Sequence, residues 1–477
     1  MFIQKKVSLL FSLLFFISFQ AKGQSPGESC KLFWEGKPCG VEEILSMYVQ
    51  FPSMSGNESK AGEWLKALCL ENGLHVHQMG EENGNYNFAA SIYPLSERLP
   101  NIIFLTHIDV VPPGNVFKWT HPPFAGEISD TEVWGRGTMD NKGPAIIQLF
   151  SVVETMRKYE GSRLPYNITF LAVSCEEIQC DGGVKYVVEN HLEDLHAAVV
   201  IGEGPPALDG IISSDPDLQV FGISTAHKRA FWLKLSLQIH SSGHGSVTPL
   251  AYANREMTHA LSNLLAKPQK AIYTDLNVHL LKQLGSLDKG ILACVLRHPR
   301  LFKALIVPQL RKQPELFALF SNTITLTSLH SNNHVINVIP DEATALLDCR
   351  LLPQADSATF MEDVKKRLDN EEIKISILKA MPPMQPSAED NFFFQCLKKT
   401  LQEQYPETRV SSAFLPNYND TGIFRSQGIA AYSIFPVLLE REYIETIHNY
   451  DERIPIEALC RGIDCYVGFL DSCMKGE

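Results

Sequence analysis

A parallel α/β sandwich interrupted by a smaller α+β insert is the fold class this sequence predicts, and three observations point to it. Residues 102–106, 168–174 and 197–201 are near-continuous apolar runs, as expected of parallel strands covered on both faces. Helical apolar spacing over 58–72 and 143–156 alternates with strand-like runs. Beyond Gly222 the texture changes, and residues 231–240 alternate in the manner of a sheet with one wet face.

Each element has a local reason. Helix 58–72 places Ala61, Trp64, Leu65 and Leu68 on one face and stops at Asn72-Gly73. Residues 87–93 read as a strand. Helix 143–156 tolerates Pro144 because a first-turn residue needs no hydrogen-bonded N–H. After the strand 231–240 come a helix over 253–266, a helical insertion, and strands over 323–329 and 343–351. A helix over 357–368 and a strand over 373–378 complete a β-α-β-β-α-β order, which predicts a ferredoxin-like domain inserted into the first. The proline-rich stretch 381–387 returns the chain, and a helix over 456–474 ends it. The predicted organisation is a first domain split between 24–221 and 384–477, around an insert over 222–383.

The first 23 residues are set apart. Lys5 and Lys6 precede an apolar core over 7–18, and Ala21-Lys22-Gly23 has the small-x-small form of a cleavage site. That is the pattern of a removable secretory signal, and the run is short for a membrane span. Its removal takes lysines and no acids, so the formal charge of −12 becomes more negative. An acidic chain without a basic run is a poor nucleic-acid binder. No second segment is long and apolar enough to span a bilayer, which predicts a soluble extracytoplasmic protein, secreted or periplasmic. Of eleven cysteines, Cys175, Cys349 and Cys460 sit in apolar patterns typical of buried thiols. Cys30 and Cys39 are the pair most easily joined. Cys175 and Cys180 as soft metal ligands are a weaker reading than the carboxylates between them.

Chemistry collects in five stretches. T-H-I-D-V-V-P ends a strand with His107 and Asp109, whose spacing of two puts both on one face. A metal-binding histidine usually gives its second ring nitrogen to a carboxylate, and His-x-Asp suits that pairing. W-G-R-G-T-M-D-N-K-G places Asp140 in a glycine-rich turn before a helix, and S-C-E-E-I puts Glu176 and Glu177 directly after a strand. Adjacent residues point apart, so one glutamate would serve as base and the other as ligand. V-I-G-E-G-P ends the next strand with Glu203, and T-I-H-N-Y supplies His448. Alone, each stretch has a bland reading as loop geometry, an acidic turn or a satisfied histidine. Three of the five end parallel strands, where open α/β sheets hold their ligands. Imidazole mixed with carboxylate suits zinc, with cobalt or manganese as substitutes. A carboxylate shared by two ions is the usual arrangement for co-catalytic hydrolysis.

Together with W-T-H-P-P-F-A-G-E-I from Trp119 and N-V-I-P from Asn337, these stretches resemble the aminoacylase/carboxypeptidase family of di-zinc exopeptidases. The similarity runs from about residue 40 to the C-terminus and is strongest toward carboxypeptidase S and secreted N-acyl amino acid hydrolases. The resemblance implies a zinc-exopeptidase-like α/β/α catalytic domain with an inserted ferredoxin-like lid or dimerisation domain. It implies two Zn²⁺ per subunit, with His107, Asp140 and Glu203 on one and Asp140, Glu177 and His448 on the other. Asp109 would orient His107, and Glu176 would be the general base. S-G-H-G-S matches a Gly-His-x-Ser turn, so His244 would stabilise the oxyanion. Asn337 and Arg350 match residues that receive a substrate carboxylate, for which a guanidinium is well shaped.

Departures from the pattern are specific. Gly202 stands where related sequences carry a ligating acid, which leaves the role to Glu203. Asn141 replaces an aspartate beside the bridging residue, and Gly422 replaces the basic residue of a late Thr-Asp-Ser/Thr-Arg turn. The expected enzyme is a secreted metallohydrolase cleaving an amide bond beside a free carboxylate, in short peptides or N-acyl amino acids, with homodimerisation through the lid. Two rival readings stand beside it: an aminoacylase-type deacylase, and a binding protein that kept the fold and lost catalysis, to which Gly202 is the clue.

Overall fold

A computed structural model describes residues 31–81, 84–240, 243–333 and 335–476. The signal-like segment 1–23 and Cys30 lie outside the described residues, and so do Ser242 and His334. Two sheets organise the chain. The larger has eight strands in the order Arg409–Leu415, Val220–His227, Ala431–Ser433, Ala197–Gly202, Asn101–His107, Asn167–Val173, Phe88–Ser91 and His75–Gln78. Its centre is parallel: Asn101–His107 pairs in parallel with Asn167–Val173 on one side and Ala197–Gly202 on the other. Every residue of Asn101–His107 and Asn167–Val173 is buried, which is why these segments read as unbroken apolar runs.

Helices cover both faces. On one, Lys142–Lys158 packs against the sheet and against the terminal helix Ile456–Lys475, with the Phe104 and Tyr466 rings 4.8 Å apart. Lys142–Lys158 is buried nearly all round, as expected for a helix enclosed between a sheet and other helices. The opposite face is closed by Val184–Leu195 and Thr421–Ser426, whose Val184, Val187 and Phe424 meet Leu105, Leu171 and Val200.

The smaller sheet is antiparallel, in the order Thr323–Ser331, Glu342–Leu351, Arg229–Gln238, Lys374–Ala380. Helices Ala253–Ala266 and Ser357–Leu368 bury Met257, Leu261, Phe360 and Val364 against its inner face. This is the ferredoxin-like arrangement, and the alternating burial of Glu342–Leu351 explains its period of two. The short helices between Asp275 and Ala318 form the predicted helical insertion. One detail moves the proposed boundary at 222. Val220–His227 pairs in parallel with Arg409–Leu415 inside the large sheet, so the passage into the small sheet comes at Lys228. Phe221 and Ile223 face the first domain's core, which alternation alone did not reveal.

The turn ahead of the central helix is tightly built. A Cβ on Gly143 would stand 2.0 Å from the Thr138 carbonyl oxygen, a backbone atom with little freedom to yield. Gly143→Ala should therefore destabilise the protein by about 1–3 kcal/mol, the usual cost of overpacking, and a thermal melt reads this as a lowered Tm. An unchanged Tm would show that the turn relaxes freely.

Candidate metal centre

Three parallel strand ends and two loops bring the donors together. His107 closes its strand, and its Nδ1 lies 2.9 Å from the Asp109 carbonyl oxygen and 3.3 Å from Asp109 Oδ1. Both are acceptors, so the ring proton belongs on Nδ1 and Nε2 is left to ligate. That Nε2 stands 3.1 Å from Asp140 Oδ1 and 3.0 Å from Glu203 Oε2. Asp140 Oδ2 turns the other way, 3.1 Å from His448 Nε2, which is itself 3.2 Å from Glu177 Oε2. Within each trio the donor atoms lie within 4.8 Å of one another. Asp140 thus offers one oxygen to each side.

The donor set fits a pair of divalent cations. Three carboxylates and two imidazoles converge on two adjacent points, and Glu177 Oε1 is buried without a hydrogen-bond partner among the described residues. Such a concentration of half-buried negative charge needs positive charge to be stable. Protons compete for the same positions. Hydrogen bonds to Asp140 and Glu177 push His448 up to about 10. Burial opposes a charge on His107, but Glu203, Asp109 and Asp140 outweigh it and hold the ring well above the ordinary imidazole range. Burial likewise opposes a charged Asp140, yet the two imidazoles hold its carboxyl well below the usual range. Glu177 rises to about 7, chiefly through burial.

Glu176 belongs to neither trio. Its backbone N–H donates to Asp109 Oδ1 at 3.0 Å, while the Glu177 N–H donates to Asp109 Oδ2 at 3.1 Å. Its side chain lines a small cavity with His107, Glu203, Asp420 and Thr421. Burial and the neighbouring Glu203 charge push its carboxyl well above the ordinary range. A group of raised proton affinity beside the two donor trios, and in neither, is suited to proton transfer.

The departures find physical explanations. A Cβ on Gly202 would meet Thr421 Cγ2 at 2.4 Å, so a larger residue there requires Thr421 to shift, and the acid that stands beside His107 is Glu203. Asn141 is buried and donates to Thr106 Oγ1 at 3.1 Å. The Asp140–Asn141 peptide bond is cis. At Gly422 a Cβ would lie 2.2 Å from His227 Nε2, so that ring occupies the space a side chain would need.

Of the three insert residues, His244 and Asn337 come together and Arg350 stays apart. His244 Nε2 is 3.2 Å from Asn337 Nδ2, and its Nδ1 is 2.9 Å from Ser246 Oγ, on an exposed turn zipped to 337–339. Arg350 is held by Asp348, with Nε–Oδ1 2.8 Å and Nη2–Oδ2 3.1 Å. Among the described residues, no hydrogen bond or ion pair joins these three to the carboxylate cluster.

Sequence reasoning missed a clamp and misread a cysteine. Arg136 and Glu452 form a fully buried ion pair. Glu452 also accepts from the N–H groups of Gly137, Met139 and Asp140, while Arg136 Nη2 donates to the Asn449 carbonyl at 3.0 Å. The pair therefore locks the Asp140 turn to the His448 loop. Arg136 lies inside the stretch W-G-R-G-T-M-D-N-K-G, but no local sequence signal links it to an acid more than three hundred residues away. Cys175, read as a buried thiol, is instead disulfide-bonded to Cys180. Its apolar setting was legible, but the tight turn that returns Cys180 to it was not.

With this geometry in view, comparison with known proteins is decisive. The family model for peptidase family M20/M25/M40 matches residues 103–472. The chain belongs to that family. It is similar to a probable carboxypeptidase S-like protein of Dictyostelium discoideum, 29% identical over 398 residues that cover 82% of this chain and 75% of that protein. It is also similar to a human N-fatty-acyl-amino acid synthase/hydrolase, 24% identical over 438 residues, covering 88% and 84%. Among solved structures, an M20 family metallo-carboxypeptidase from Sulfolobus solfataricus superposes with a TM-score of 0.70 at 21% identity, covering 90% of this chain and 98% of that one. This M20 chain is accordingly a metallohydrolase with a mixed α/β catalytic sheet and a separate small antiparallel sheet.

Two predictions follow from the site. Metal uptake must displace the protons that His107 and His448 hold, so binding at neutral pH releases protons and weakens as pH falls through the raised imidazole values. Adding Zn²⁺ to metal-free protein in weak buffer should acidify an indicator dye; uptake without acidification would contradict the proton competition. Glu452→Gln leaves Arg136 buried and unpaired, and should cost about 3–5 kcal/mol in urea unfolding. A cost below 1 kcal/mol would show that the clamp carries little.

Proposed function

We propose that this M20 hydrolase is a secreted di-zinc exopeptidase of carboxypeptidase type, acting on short peptides or N-acyl amino acids at the amide bond beside a free carboxylate. The observation that carries the reading is Asp140 offering one oxygen to each donor trio, with a non-ligating glutamate, Glu176, beside them. Bound divalent ions at such a pair polarise a carbonyl and make water acidic enough to attack at neutral pH. Glu176 takes the proton from the attacking water and delivers it to the leaving amine nitrogen. Asp109 holds His107 in its Nδ1–H tautomer and holds the backbone on which Glu176 and Glu177 stand.

His244 and Asn337, paired and exposed on the insert, are the groups that receive the carbonyl oxygen and the substrate carboxylate once the insert closes or a second subunit presents them. Arg350 joins them by exchanging its Asp348 partner for the substrate carboxylate. The extracytoplasmic location rests on the signal-like segment 1–23. Similarity to an N-fatty-acyl-amino acid synthase/hydrolase supports a second reading, a deacylase of N-acyl amino acids. The chemistry is the same, and the acyl group replaces a residue.

Purified protein assayed on dipeptides and N-acyl amino acids, with metal measured by elemental analysis, separates these readings. Two zinc ions per chain and turnover are expected. Glu176→Gln should keep its metal and lose about 10²–10⁴-fold in kcat, the worth of a general base. Full activity in that variant would remove Glu176 from the reaction. Preference for N-acyl over peptidyl substrates would select the deacylase.

A further inference from the structure

Glu176 and Glu177 stand inside a covalent ring. Cys175 and Cys180 close a disulfide around them, with Cα atoms 5.6 Å apart. The ring is folded by two nested hydrogen bonds, the Gln179 N–H donating to the Glu176 carbonyl at 2.9 Å inside the Cys180 N–H donating to the Cys175 carbonyl at 3.2 Å. Both Cys175 and Gln179 are left-handed, with φ of 53° and 52°, a region L-residues other than Asn and Asp avoid. Something must hold them there. From the floor of the site, Glu58 Oε1 accepts the Cys175 N–H at 3.1 Å and Asp109 accepts the next two.

A second hold comes from the insert. Lys379, on the strand Lys374–Ala380, donates to the Gln179 carbonyl oxygen and lies 3.3 Å from Asp181 Oδ1. The small sheet therefore grips the same ring from the opposite side. Between ring and strand lies a cavity of about 320 Å³, walled by Cys175, Cys180, Lys379 and Met381 and reaching Tyr418 and Asp420 beside the site. The disulfide is thus open to a small reagent from that cavity, and Cys180 is only half-buried.

We propose that the Cys175–Cys180 disulfide and Lys379 act together as a positioning brace for Glu176 and Glu177, the disulfide fixing the ring and the lysine coupling it to the insert. The proposal rests on the assignment of Glu176 as base and Glu177 as ligand. Its physical basis is pre-organisation. Two non-glycine residues in left-handed conformations would otherwise relax and carry the glutamates away from Asp140 and His448. Cleaving the bond leaves Cys175 and Cys180 as thiols, and the ring is then held only by hydrogen bonds and Lys379.

The test uses the whole protein and a phosphine, which reduces the bond without chelating as dithiols do. One phosphine and one water are consumed, giving two thiols and one phosphine oxide. Thiol titration before and after should find the 175–180 pair closed and then open. The reduced, folded protein should lose about tenfold or more in kcat, with KM changed less than threefold and weaker retention of metal against a chelator. Air reoxidation should restore both. Cys175→Ser/Cys180→Ser should reproduce the reduced values and respond no further to phosphine, and Lys379→Met should lower kcat in the oxidised protein.

A reduced protein with kcat within twofold of the oxidised one overturns the brace. So does an activity loss that only tracks the unfolded fraction in circular dichroism, since the bond is then structural alone. Failure of the underlying assignment looks different, because Glu176→Gln would then stay active in the oxidised protein whatever reduction does.

Discussion

The carboxylate of Asp109 is the constraint on which the site depends. It is fully buried, and its oxygens accept from Ser55 Oγ at 2.7 Å and from the N–H groups of Glu176 and Glu177, while Oδ1 stands 3.3 Å from His107 Nδ1. This one residue thereby fixes the tautomer of a histidine on one strand, through its carbonyl oxygen and its carboxylate, and the backbone of two glutamates after the neighbouring strand. Charge-assisted bonds of this kind are the strong ones, and burial raises their weight. The closest thing to it elsewhere in the site is Glu452, which holds the Asp140 turn through three N–H groups and is itself held by Arg136. Two buried acids, in neither donor trio, set the positions of His107, Glu176, Glu177, Asp140 and His448.

This division of labour follows from the fold. Parallel strands end together, so His107, Glu176 and Glu203 are all carried to one rim of the sheet. Asp140 and His448 arrive on loops, which have no such guarantee. They are secured by the Arg136–Glu452 clamp and by a short antiparallel pairing of strand Arg453–Pro455 with Glu132–Trp134, separate from both main sheets. The insert adds a contact of a different kind, since Lys379 reaches back to the glutamate loop while His244 and Asn337 remain exposed. Motion of the insert would then be felt at the glutamates as well as at the substrate.

Legibility in the sequence tracked the range of the interaction. The buried strands and the βαββαβ insert were readable because apolar period is local. Ten candidate site residues came partly from strand ends and partly from family resemblance, and the structure brings seven of them, His107, Asp109, Asp140, Glu176, Glu177, Glu203 and His448, together. His244 and Asn337 pair on an exposed turn of the insert, and Arg350 lies apart from them against Asp348. Interactions without a sequence signal were not readable: the Arg136–Glu452 pair, the Cys175–Cys180 bond, and the membership of Val220–His227 in the large sheet. Each depends on residues meeting through the tertiary fold or a tight turn, which no periodicity records.

The most direct test of the account is the anomalous scattering of a crystal grown with zinc. Two peaks flanking Asp140 are predicted, one against His107 and Glu203 and the other against Glu177 and His448. A single peak, or a pair that leaves out Asp140 or Glu203, would contradict the shared-carboxylate centre from which the proposed chemistry is derived.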